Sequence, residues 1–78
     1  MRHQQVPRAK LLVELPADRY TVLSPNGRPP LVGDEVELDH GFTSPEGLPM
    51  GLVYFAGPDG ADQYEARVYE SELSPILT

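Results

Sequence analysis

The chain has 78 residues, six basic against twelve acidic side chains and no cysteine. That is enough for one domain and not for two, and it excludes a disulfide framework or a thiolate metal site. The charge is uneven. Residues 1–28 hold five of the six basic side chains against two carboxylates, whereas residues 29–78 hold Arg67 against ten. Such a balance repels phosphate backbones and attracts basic partners, so nucleic-acid binding is disfavoured outside the basic N-terminal segment.

At the N-terminus, MRHQQVPRAKLLVELP has a basic start, but Glu14 interrupts the apolar run Leu11–Leu12–Val13. A signal-peptide core and a membrane-spanning run are both absent from it, which predicts a soluble, cytoplasmic protein without membrane association. Residues 1–9 lack periodicity and read as a flexible arm ahead of a single domain over 10–78. Nine prolines and seven glycines cut that domain into short pieces, and no segment sustains helical spacing for three turns.

Alternation at period two appears instead. KLLVELP places Leu11, Val13 and Leu15 on one face. RYTVLSP groups Tyr20 with Val22, and SPNGRPP follows as a turn in which Asn26-Gly27 accept positive φ. In GDEVELD, Val36 and Leu38 face one way and Glu35, Glu37 and Asp39 the other, with Gly33-Asp34 turning into the strand. HGFTSPEGLPMG reads as a long loop at about 40–51. LVYFAG, apolar on both faces, is the expected central strand. QYEARVYE points Tyr64, Ala66 and Val68 inward, and SELSPIL offers a short 3-10 turn near 70–73. The expected fold is all-β, a small five-stranded, partly open barrel.

The run LVGDEVEL (31–38), then GLVYFAG (51–57), then QYEARVYESEL (63–73) resembles the layout of SH3-like barrels. In that layout a Gly-Asp turn opens a strand, a glycine precedes the central strand and a 3-10 turn with Glu-Leu closes the pattern. The chain looks most like small bacterial barrels of the immunity or antitoxin-like kind, and it is similar to nitrile hydratase beta-type accessory barrels. KOW-type ribosomal and transcription barrels share the layout but usually present Lys and Arg, which residues 29–78 have only at Arg67.

Catalytic and metal chemistry find little footing. Asp34, Glu35, Glu37, Asp39 and His40 crowd one stretch, yet a strand sends alternate side chains to opposite faces and spaces same-face residues about 6.6–7 Å apart, too far for shared ligation. PDGADQYE misses the calcium-loop spacing. No nucleophile elbow or phosphate-cradling glycine motif occurs. The expectation is a non-enzymatic protein without cofactor or metal that binds a basic protein partner, in an inhibitory or immunity role. The alternative is an accessory barrel serving a larger enzyme. A homodimer through a strand edge is compatible with the sequence. Candidate binding residues are Glu35, Glu37 and Asp39 on the acidic strand; Phe42, Leu48 and Met50 in the loop; and Tyr54 and Tyr69 as aromatic anchors near Glu70 and Glu72.

Overall fold

A computed structural model describes residues 7–25, 27–58 and 60–77. Five strands, β1 (Arg8–Lys10), β2 (Tyr20–Val22), β3 (Glu35–Thr43), β4 (Pro49–Ala56) and β5 (Asp62–Tyr69), form one antiparallel sheet in the order β1-β3-β4-β5-β2. Two 3-10 turns, Ala17–Arg19 and Glu70–Glu72, lead into β2 and out of β5. The second falls where the Ser-Glu-Leu segment predicts it. LVYFAG lies in β4, the middle strand, as its two-sided apolar character predicts.

The alternation of β5 has its expected consequence. Tyr64, Ala66 and Val68 are fully buried, and Gln63, Glu65 and Arg67 lie half-buried on the opposite face. With Leu11, Val36 and Val53 they make the core, packed by Leu15, Tyr20, Leu38, Phe55 and Leu73. The C-terminal segment runs along the outer edge of β1. Ser74 N–H donates to the Lys10 carbonyl at 2.8 Å and Leu77 N–H to Arg8 at 2.7 Å, with bridges Leu11–Leu73 and Arg8–Leu77. The sheet itself stays open, since among the described residues no pairing joins β1 to β2.

Three expectations change. The first strand is expected over 10–16 but occupies Arg8–Lys10. Leu11 N–H donates to the Asp34 carbonyl at 2.9 Å and its own carbonyl accepts from Gly33 at 2.7 Å, which pins it to the turn before β3. Beyond Leu11 the chain runs without a ladder until β2. The apolar alternation survives there, with Leu11 buried, Val13 and Leu15 half-buried, and Leu12 and Glu14 exposed. Residues 1–6 of the expected arm lie outside the described residues, while Arg8 and Ala9 belong to β1 and Ala9 is buried.

The long loop at 40–51 is instead most of a hairpin. β3 runs to Thr43 and β4 starts at Pro49, leaving a tip over 44–48 closed by Ser44 N–H to the Leu48 carbonyl at 2.8 Å. Composition misleads because the loop-forming residues sit at strand positions that tolerate them. Pro49 opens a strand, and Gly41 faces Gly51 across the ladder. A Cβ on Gly51 would lie 2.7 Å from Leu38 Cδ1, the end of a flexible side chain that would have to shift to admit it.

The third change concerns Gly27, whose φ is not positive; Asn26 lies outside the described residues. A Cβ there would lie 2.7 Å from the Gln63 carbonyl, so the turn is glycine because backbone passes close by.

Candidate functional site

Two surfaces gather most of the candidate residues. The first is the sheet face opposite the core. Register places Arg8, Glu37, Tyr54, Glu65 and Thr21 in one row across all five strands, then His40, Leu52 and Arg67, then Phe42, Met50 and Tyr69. Tyr54 thus stands in the middle of the sheet between two glutamates. Partial desolvation raises its pKa first, followed by the charges of Glu65 and Asp39, a hydrogen bond to Glu65 and the charge of Asp62. Tyr54 therefore sits within the field of the Glu65, Asp39 and Asp62 carboxylates.

Asp39 does not share the strand register of Glu35 and Glu37 as the alternation predicts. A β-bulge between Leu38 and His40 leaves it opposite no residue of β4. Its Oδ2 lies 2.7 Å from His40 Nδ1. Glu35 and Glu37 lie opposite Lys10 and Arg8 of β1, and Arg8 reaches Glu35 at 3.2 Å. The basic N-terminal segment therefore lies against the Glu35 end of the acidic strand, while Glu65, Asp39 and Asp62 lie nearer Tyr54.

The second surface is a groove of about 610 Å³ at the far half of the hairpin. Leu38, Gly41, Phe42, Met50, Glu70 and Leu73 line it. Gly41 and Gly51, facing each other across the ladder, line it without side chains. It brings together Phe42, Met50 and Glu70 but not Leu48, which is exposed at the hairpin tip.

One further candidate serves the fold itself. Glu72 is not a rim acid. It holds Arg19 through two bonds of 2.9 and 2.7 Å and accepts the Tyr69 N–H at 2.8 Å. Burial works to raise its pKa, but Arg19 and that N–H prevail and hold it below the usual carboxylate range. The Arg19 guanidinium also covers the Tyr69 ring at 4.9 Å.

A matching clamp escaped sequence reasoning. Asp34, 9% exposed, accepts two bonds from Arg28 at 2.8 and 2.9 Å, the Tyr64 hydroxyl at 2.8 Å and the Leu31 N–H at 3.0 Å. Burial opposes its charge, yet these four donors lower its pKa. Burial and the Asp34 carboxylate raise that of Tyr64. Arg28 stacks on Phe55 at 4.6 Å, and Phe55 on Tyr64 at 5.2 Å. The only sequence signal was Asp34 opening its strand after a turn; its partners lie six and thirty residues further along or back.

Among the described residues no three His, Cys, Asp or Glu side chains are grouped to hold a metal ion. No helix there is long and apolar enough to cross a membrane. The fold and these surfaces define a small all-β protein with one open antiparallel sheet. No family model, curated protein or solved structure matches the chain.

Proposed function

We propose that this chain is a non-enzymatic protein-interaction domain of the SH3-like type whose acidic sheet face binds a basic surface on a partner protein. An inhibitory or neutralising role toward that partner is the form that fits best. The observation that carries the reading is Tyr54, set mid-sheet beside Glu37 and Glu65 and within the field of Asp39 and Asp62. Aromatic anchors with charged rims are the usual composition of such contacts, and the carboxylates steer the encounter. The pairing of the C-terminal segment with β1, after a hairpin and a 3-10 turn, supports the SH3-like layout.

The test compares equal charge changes at two places, with an oligolysine peptide as probe. Asp39→Asn with Glu65→Gln is expected to weaken binding about tenfold and flatten its salt dependence. Glu14→Gln with Asp18→Asn is expected to change it less than about threefold. Equal losses from both pairs reduce the interaction to net charge and remove the sheet face from it.

The apolar groove favours a second reading, an accessory barrel that assists a larger enzyme through contacts at Phe42 and Met50. That reading predicts association insensitive to salt.

A further inference from the structure

Among the described residues, the far half of β3 has a partner on one side only. β1 pairs with Glu35, Val36 and Glu37, and the Leu38 N–H donates to the Pro7 carbonyl at 2.9 Å. Pro7 has no N–H to return, and among the described residues no strand pairs with β3 beyond Leu38 on that edge.

The direction of the remaining groups follows from the hairpin. Ser44 N–H points toward β4, where it meets Leu48. Main-chain groups of an antiparallel strand alternate in direction from residue to residue. Phe42 therefore also bonds inward, and Gly41 and Thr43 turn their N–H and C=O groups to the open edge. Pro49, opposite Thr43, fits this register because that pair requires no N–H from it. Exposed edges of this kind accept an added strand unless something blunts them.

From this geometry we infer that the β3 edge at Gly41 and Thr43 receives an extended segment of the partner in which basic and apolar residues alternate. The inference rests on the basic-partner reading above and names the form of that partner. Residues directly opposite Gly41 and Thr43 share their face of the sheet and enter the groove beside Leu38 and Leu73, so they are apolar. The intervening residues lie on the outer face, where the Asp39 carboxylate on the bulge selects lysine or arginine. A second copy of this chain fits poorly, because two such edges would bring Asp39 against another acidic edge and join two chains of net charge −6.

The probe is an acetylated, amidated Lys-Val-Lys-Val-Lys-Val-Lys peptide and its counterpart with N-methylated valines, which keeps charge and side chains but removes the donors facing β3. The parent peptide is expected to bind and to slow amide exchange at Gly41 and Thr43. The N-methylated peptide is expected to bind at least about tenfold more weakly. Gly41→Pro and Thr43→Pro, each deleting one outward N–H, are expected to weaken the parent and leave the N-methylated peptide unaffected.

Equal binding of the two peptides, with shifts confined to Tyr54 and Glu65, overturns the edge site and leaves the basic-partner reading standing. Binding of neither removes both. Gly41 and Thr43 amides protected before peptide is added also overturn the inference. If that protection is independent of protein concentration the occupant is residues 1–6, and if it rises with concentration the occupant is a second copy.

Discussion

Asp34 and Asp39 are the same residue five positions apart, and the protein uses them in opposite ways. Asp34 is buried and has four donors, two from Arg28 and one each from Tyr64 and Leu31, tying the 28–34 turn to the core strand β5. Asp39 stands on a bulge at the sheet edge, with the neighbouring His40 at 2.7 Å and the field of its charge felt at Tyr54. The difference lies in what surrounds each carboxylate, since a buried charge must be matched by donors whereas an edge charge remains available to a partner. Glu72 and Glu65 repeat the contrast, one clamped by Arg19 and one half-buried beside Tyr54 on the outer face.

The largest expected effect breaks the buried member. Asp34→Ala removes the acceptor for Arg28, Tyr64 and the Leu31 N–H at once, which costs on the order of 3–5 kcal/mol when one partner of a buried pair is lost. A domain of this size has roughly that much net stability to lose, so the variant is expected to be largely unfolded by circular dichroism at 25 °C. Tyr64→Phe removes one donor and keeps the ring on Phe55. Its expected cost is about 1–2 kcal/mol in urea unfolding. If both variants cost the same, the carboxylate holds nothing beyond the tyrosine.

Next in size is the Arg19–Glu72 clamp. Its side chains are 19% and 17% exposed, so Glu72→Gln, which keeps the shape and loses the charge, is expected to cost about 1–2 kcal/mol. The pH profile sharpens this. Glu72 and Asp34 both have folded pKa values below their ordinary 4.5 and 3.8. The unfolded chain therefore takes up protons first as acid is added. The stability they contribute is complete above the ordinary values and is lost as pH falls through the depressed ones. Tyr64 acts at the other limit. Its raised pKa means that stability present below 10.0 is lost as pH climbs above that value. Urea midpoints across pH are expected to fall on both sides, with Glu72→Gln flattening the acid limb and Tyr64→Phe the alkaline one.

How much of this was legible follows the range of the interactions. Period two in QYEARVYE is local, and Tyr64, Ala66 and Val68 are buried as it predicts. The strand of Val36 and Leu38 reads equally well, but the bulge at Asp39 does not, because one inserted residue leaves no compositional trace. The hairpin over 40–51 was hidden by residues that usually end strands. Gly41 and Gly51 look like breakers until they are seen facing each other, and with them the groove and open edge were hidden too. Arg19 and Glu72 are 53 positions apart, and nothing at either end announces the other.

A smaller effect tests the exposed side. Arg8 and Glu35 meet at 3.2 Å with side chains 57% and 42% exposed, a geometry in which water screens most of the attraction. Glu35→Gln is expected to change stability by less than about 0.5 kcal/mol in urea unfolding, an order of magnitude below Asp34→Ala. A cost near that of Glu72→Gln would mean that β1 depends on this pair to stay on the sheet.

The smallest effect concerns no stability at all. Tyr54 has a raised pKa partly because Glu65, Asp39 and Asp62 make a second negative charge on this face unfavourable. Neutralising Asp39 and Glu65 together is therefore expected to move the Tyr54 titration down toward 10.0, with Tyr64 still titrating well above it. Carbon-13 NMR of the labelled tyrosine rings resolves the two. Added salt is expected to produce part of the same shift in the unaltered protein, since charges on an open sheet face are screened over about 8–10 Å at moderate ionic strength. A Tyr54 titration indifferent to both changes would mean that desolvation alone raises it. The face would then lack the focused potential on which recognition of a basic partner depends, and the contrast between Asp34 and Asp39 would reduce to burial against exposure.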